Sequence, residues 1–239
     1  MVIGSKTNGH RDHQLDRRKI SMHFLEVLNE EELALFNRTV TRRTFSRTEL
    51  IFSEGKKPSA VHLLENGKIK LFTTDQQGRE RIIHLAKKGD VMGYRAALGQ
   101  DTYSCSASAL EDCTVLLLPI DTFLLLLEKN ASLSHYIIKL LTAELRHAEH
   151  HLGGSARKTV KARLADAMIL LADTYGFEYD GATLDISLSR EELAAMVGTA
   201  TETTIRILKS MEEEGLLATN GRKIRLPDMN ALRRSSENP

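Results

Sequence analysis

With 239 residues and a formal net charge of +1, the chain is long enough for two compact domains and carries no bulk charge to draw it to a polyanion. It contains no run of about 18 apolar residues, which excludes a membrane-spanning helix, and no apolar leader opens it, so a cytoplasmic protein is expected. Its two cysteines, Cys105 and Cys113, are too few for a secretory disulfide framework.

Residues 1–20 are polar, with Lys6, Arg11, Arg17, Arg18 and Lys19 and few apolar anchors, and are expected to form a mobile tail. His10, His13 and His23 lack regular spacing and a nearby cysteine, so no metal site is assigned to them. Residues 21–130 are expected to form the first domain. A short helix is predicted from Phe24 through Phe36. Gly55, Gly67, Gly78 and Gly89 then recur every eleven or twelve residues, separating the short apolar runs Val61–Leu64, Ile69–Phe72 and Ile82–Leu85. Short, evenly spaced strands with glycine turns indicate an all-β roll or barrel. Pro119–Lys129 begins a helical section, with Asp121 expected as N-cap.

Residues 131–156 are predicted to form a long helix and a hinge. Ile137, Leu141, Leu145, Ala148 and Leu152 follow at near-heptad spacing, the pattern of a dimer seam. The same stripe could instead pack on the roll, but a helix of this length exceeds what a small roll can cover. Gly153–Gly154 is expected to interrupt the helix and serve as the hinge. A further helix over Val160–Tyr175 opens a third region, residues 157–232, and residues 233–239 are expected to be a tail.

Within 157–232, Ser189 followed by Glu192 is a capping-box start. Leu193, Ala194 and Val197 share one helical face, Gly198 permits a sharp bend, and a second apolar set is expected at Ile205, Leu208 and Met211. Two short helices joined this way form a helix-turn-helix, whose second helix enters the DNA major groove. A structural hairpin of helices would give the same pattern. The next stretch of chain favours DNA: residues 215–226 alternate around Asn220–Gly221, a strong hairpin signal. A helix-turn-helix with a hairpin behind it is a winged helix, and Arg222, Lys223 and Arg225 are placed on the wing. Basic and acidic residues nearly balance beyond residue 157, so phosphate affinity would depend on local clustering.

These features, notably Glu202–Lys209 (ETTIRILK), resemble the DNA-binding domain of the CRP/FNR family of bacterial transcription regulators. The resemblance covers residues 21–230 in order and spacing. It implies an α+β chain: an N-terminal double-stranded β-helix, jelly-roll-like and similar to cyclic-nucleotide-binding domains, then a long dimerisation helix and a C-terminal winged helix. It further implies a homodimer on an inverted repeat of double-stranded DNA, RNA polymerase as a partner, a possible small-molecule effector, and no enzymatic activity. No cofactor and no membrane association are expected.

Glu202 and Arg206, four residues apart, share a helical face. Arg206 can donate to guanine O6 and N7, and Glu202 can accept from cytosine N4. Glu202 could also close a capping box with Thr199. Thr201 stands at the helix start where some relatives carry arginine, and Arg190, Thr203, Arg222 and Lys223 are candidate phosphate contacts. The family's phosphate cassette (Gly-Glu for the ribose, Arg-Ser-Ala for the phosphate) corresponds to Gly93, Tyr94 and Arg95 together with Tyr103, Ser104 and Cys105. Tyr94 takes the glutamate position and Tyr103 the arginine position, so a bidentate phosphate partner is missing unless Arg95 supplies it. The dimer-helix position facing a purine falls near Ala148–Glu149. Binding of cAMP is therefore not expected, and an uncharged or apolar effector is the alternative to none.

An iron–sulfur sensor needs about four thiolates, and this chain has two. Cys105 and Cys113 are expected to be small apolar residues of the roll. His147 and His151, at i and i+4, could bind a metal or could suit a helix C-terminus. Two other classes stay open: a β-roll signalling module whose winged helix no longer binds DNA, and a β-roll metalloprotein.

Overall fold

The computed structural model describes residues 24–154 and 158–237, without the side chains of 147–154. The 1–20 tail, His10, His13, His23 and the side chains of His147, Ala148, Glu149, His151 and Leu152 lie outside the described residues.

The first helix, α1 (Glu30–Thr39), begins later than Phe24, because Asn29 and Glu32 form a reciprocal capping box. Phe24 instead packs its ring 6.2 Å from Phe36 and 6.4 Å from Phe123. Eight strands follow: β1 (Thr41–Phe45), β2 (Leu50–Phe52), β3 (Ala60–Asn66), β4 (Ile69–Thr74), β5 (Glu80–Ala86), β6 (Val91–Met92), β7 (Ser106–Ala109) and β8 (Cys113–Pro119), with α2 (Tyr94–Gly99) between β6 and β7. They form two four-stranded antiparallel sheets, β1-β8-β3-β6 and β2-β7-β4-β5, the expected roll. Phe45, Leu64, Ile69, Ala107 and Val115 fill the space between the sheets, together with Cys105 and Cys113.

The first five residues of β3 are buried on both faces, which is why, His62 apart, they are apolar with little alternation. Leu64 points into the roll, while Val61 and Leu63 meet a helical layer. That layer contains α3 (Ile120–Lys129) and α4 (Ala131–Gly154). Asp121 is not the N-cap of α3: β8 runs extended through Pro119, which takes the cap position, leaving Asp121 in the first turn. Gly153 and Gly154 are the last two residues of α4, and the residues just beyond them, 155–157, lie outside the described ones. Glycine in a helix costs about 1 kcal/mol without any clash, and a long helix can carry that.

The C-terminal part comprises α5 (Val160–Tyr175), α6 (Arg190–Val197), α7 (Thr201–Glu213), the hairpin β9 (Ala218–Asn220) and β10 (Lys223–Arg225), and α8 (Met229–Glu237). The expected tail at 233–239 is thus helical through Glu237, because Leu232 and Ser236 are buried on one face of α8. This part shares a core with the roll: Phe72, Ile82, Leu85 and Leu110 pack with Met168, Leu193, Leu208 and Ile224. Arg47, in the β1–β2 turn, reaches across to donate to the carbonyls of Leu110 and Ser187 and to Glu192 Oε2 at 3.3 Å. Lys68 Nζ lies 3.5 Å from Asp185 Oδ1, and the Tyr175 hydroxyl donates to the Ala86 carbonyl at 3.1 Å.

Candidate nucleic-acid interface and sensor pocket

The expected capping box starts α6: Ser189 Oγ accepts from the Glu192 N–H at 3.1 Å, and Glu192 Oε2 accepts from the Ser189 N–H at 2.6 Å. Gly198 closes α6 in the left-handed conformation, φ +66°, where a side chain would be strained. The Thr199 N–H donates back to the Ala194 carbonyl, so Thr199 belongs to the end of α6. The cap of α7 is Ala200 and no side chain closes it; the Thr199–Glu202 box is therefore absent, and Glu202 is exposed in the first turn.

The buried face of α7 is Thr204, Leu208 and Met211. Ile205, expected in the core, is 50% exposed; one residue turns the helix by about 100°, and Thr204 takes the inward place. Glu202, Ile205, Arg206 and Lys209 form the solvent face, while Thr201 and Thr203 flank it half-buried. Among the described residues no ion-pair partner lies near Glu202, Arg206 or Lys209. Of the acidic run beyond, Glu214 pairs with Lys161 at 2.5 Å and Glu212 Oε1 accepts from the Thr219 N–H at 2.8 Å, while Glu213 stays exposed on the last turn of the solvent face. The Lys161 ammonium holds the Glu214 carboxyl below its usual range.

The wing turns at Gly221–Arg222, one residue later than expected, because Asn220 is still paired with Lys223 and Gly221 supplies the positive φ at the first turn position. Arg190 Nη2 donates to the Gly221 carbonyl at 3.2 Å, tying α6 to the wing tip. Two of the wing's cations have acidic neighbours: Lys223 Nζ lies 3.0 Å from Glu178 Oε1 and Arg225 Nε 3.8 Å from Asp180 Oδ2. Arg222 is exposed with no ion-pair partner among the described residues. Hydrogen bonds from the Thr183 hydroxyl and backbone, then from the Ala182 N–H, bring the Asp180 carboxyl down to about 2.

In the roll, all six pocket residues singled out from the sequence line one cavity of about 50 Å³, with Phe52, Leu71, His84, Met92 and Glu144. Gly93 has φ +79°, and a Cβ there would come within 3.1 Å of the Tyr103 ring. The Tyr94 hydroxyl donates to Glu144 Oε1 at 2.7 Å, and Arg95 Nε lies 3.2 Å from Glu144 Oε2. Arg95 Nη2 also reaches Ser104 Oγ at 3.3 Å. Tyr103 is buried, stacked 4.2 Å from Phe52, and donates to the Ala60 carbonyl at 3.3 Å; burial pushes its hydroxyl up to about 12. Burial also raises the Cys105 thiol, and raises Cys113 to about 11. The α4 residue that closes the cavity is Glu144, whereas Ala148–Glu149, where sequence reasoning placed the contact, has no described side chains. No local motif marks Glu144; its partners are fifty residues away in the chain.

The residues of the expected seam differ in exposure. Ile137 is buried against the roll and Leu141 is partly buried there, whereas Ile138 and Leu145 are 57% and 62% exposed. The free apolar edge of α4 therefore runs through Ile138 and Leu145. Among the described residues no three His, Cys, Asp or Glu side chains gather as a metal would require, and no helix is long and apolar enough to cross a membrane.

A jelly roll joined by a long helix to a winged helix with an exposed polar recognition face is the architecture of a DNA-binding transcription regulator. Residues 42–130 match the cyclic nucleotide-binding domain family and residues 162–235 the Crp-like helix-turn-helix domain family. The cyclic AMP receptor protein of Thermus thermophilus is 30% identical over 190 residues, 80% of this chain and 85% of that protein. The fumarate and nitrate reduction regulatory protein of Escherichia coli is 25% identical over 208 residues, 86% of this chain and 83% of that protein. The fold matches FixK2 from Bradyrhizobium japonicum with a TM-score of 0.74 at 22% identity, covering 84% of this chain and 99% of that one. The chain belongs to the CRP/FNR family of transcription regulators.

Proposed function

We propose that the chain acts in the cytoplasm as a homodimer that binds an inverted repeat of double-stranded DNA, one α7 in the major groove of each half-site, without needing a cyclic nucleotide. The observation that carries this is the solvent face of α7. Glu202 and Arg206 stand exposed on adjacent turns, free of internal ion pairs among the described residues, as base-edge readers must be. Arg206 pairs with guanine and Glu202 with the cytosine amino group; Arg222 and Lys209 reach phosphates, and Arg190 holds the wing in place. Lys223 contacts phosphate only by leaving Glu178. Dimerisation runs along Ile138 and Leu145, an apolar edge left uncovered in one chain, and sets half-sites about one helical turn apart. RNA polymerase is the expected protein partner.

The pocket argues against cAMP. Its arginine is already paired with Glu144, whose carboxylate would repel a phosphate, and no second guanidinium lines it among the described residues. A cavity of about 50 Å³ admits a few waters, whereas small-molecule sites run from about 300 Å³. The name of the Thermus thermophilus relative therefore does not transfer to this pocket. An effector, if one acts, is small and uncharged, and resting on Tyr94 and Tyr103 it would act through Glu144 on α4. Selection of bound sites from random duplex DNA tests the function: an inverted repeat with a guanine in each half-site is expected, and absence of any selected sequence would refute it.

A further inference from the structure

We infer that Ile205 is a specificity-determining residue that reads the C5 methyl group of one thymine in each half-site. The inference rests on the DNA-binding function proposed above. Ile205 is 50% exposed on the solvent face of α7, among Glu202, Arg206 and Lys209. Viewed down the helix, these four residues span an arc of about 100°, with Ile205 and Arg206 at its two edges. The buried face, Thr204, Leu208 and Met211, is opposite. Ile205 thus lies outside the buried core, and a β-branched side chain is a poor choice for a half-exposed helical position on propensity alone.

Once α7 lies in a major groove, water is displaced from this arc and Ile205 is covered by base edges. Isoleucine has no hydrogen-bonding group, so it cannot distinguish the donor and acceptor patterns that Glu202 and Arg206 can. The apolar feature a base pair offers in the major groove is the thymine C5 methyl. A branched aliphatic side chain against any other pair would desolvate a polar edge without replacing its hydrogen bonds. Side chains three and four apart on a helix have Cβ atoms about 5–6 Å apart, against about 3.4 Å per base step. The thymine therefore lies one or two base pairs from the G·C pair assigned to Glu202 and Arg206.

The test uses the full chain and its repeat selected from random DNA, with each half-site thymine replaced in turn by deoxyuridine, which removes only the methyl. At one position the parent is expected to bind about four-fold more weakly per half-site, the effect of leaving one methyl uncovered. Ile205→Ala should lose that sensitivity while still preferring the guanine, and Ile205→Val, which keeps the branch, should retain it. A parent that selects a repeat yet is indifferent to every deoxyuridine overturns this inference alone, as does an Ile205→Ala variant as methyl-sensitive as the parent. A parent that selects no sequence overturns the DNA-binding function and this inference with it.

Discussion

On α7, Glu202, Arg206 and Lys209 face solvent with no ion-pair partner among the described residues, whereas in the roll Arg95 and Glu144 are closed on each other, with Tyr94 and Ser104 completing the set. The same kinds of charged group are thus open to a ligand in one region and ion-paired internally in the other. An arginine without a partner is ready for a guanine edge; an arginine already beside a carboxylate presents a phosphate with less net positive charge. The roll keeps the architecture of a sensor, but the charges in its cavity bind the roll to α4.

The largest effect should come from the edge between the two regions. Replacing Ile138 and Leu145 together with glutamate puts charge on the free edge of α4, and sedimentation should then show monomers. Losing the second half-site should weaken binding to the selected repeat by roughly 10²–10⁴-fold. An unchanged dimer with unchanged affinity would move the interface elsewhere.

How dry the roll is can be tested through His62, which lies buried between Phe52 and Tyr103 with an unpartnered Nδ1. Burial lowers its pKa to about 4. The unfolded chain takes up a proton below about 6.5 while the folded chain does not until about 4, so this group's contribution is intact above 6.5 and is lost as pH falls between the two. Denaturant titrations should find about 3 kcal/mol lost over that window, and His62→Leu should flatten the dependence. A variant profile as steep as the parent's would mean that water reaches the ring.

Much of the DNA-binding end was legible because its signals are local. Ser189 and Glu192 cap α6 from three residues apart, Gly198 ends it, and the wing turns within a residue of the expected place. The errors fall where distant parts of the chain decide. Which side of α7 faces inward is set by packing on α5 and α6, so Thr204 rather than Ile205 is buried. The phase of α4 is likewise fixed by the roll, which takes Ile137 and leaves Ile138 out. Glu144 answers to Tyr94 and Arg95, and Lys223 to Glu178, across separations that no motif spans. Helix α8 was missed because Leu232 is a single strong apolar anchor in a polar stretch.

Within the DNA face, Arg206→Ala should cost about 1–3 kcal/mol per half-site and relax the preference at one guanine. Binding to the repeat and to its single-base variants checks both, and full retention of specificity would misplace the recognition face. Smaller still, Arg222→Ala should weaken all sequences alike and reduce the salt slope by about one. Lys223→Ala should change it less, because Lys223 already has Glu178 beside it. Equal slopes for the two variants would show that the Glu178 pair opens freely on DNA.

Fluorescence anisotropy of the ligand-free chain on a labelled selected repeat, repeated with cAMP present, bears most directly on the pairing of an open DNA face with a closed pocket. Tight, sequence-specific binding that is the same with and without the nucleotide is the expected result. Binding that appears only with micromolar cAMP, and that Arg95→Ala abolishes, would show that Arg95 leaves Glu144 for a phosphate and that the pocket is a cyclic-nucleotide site after all.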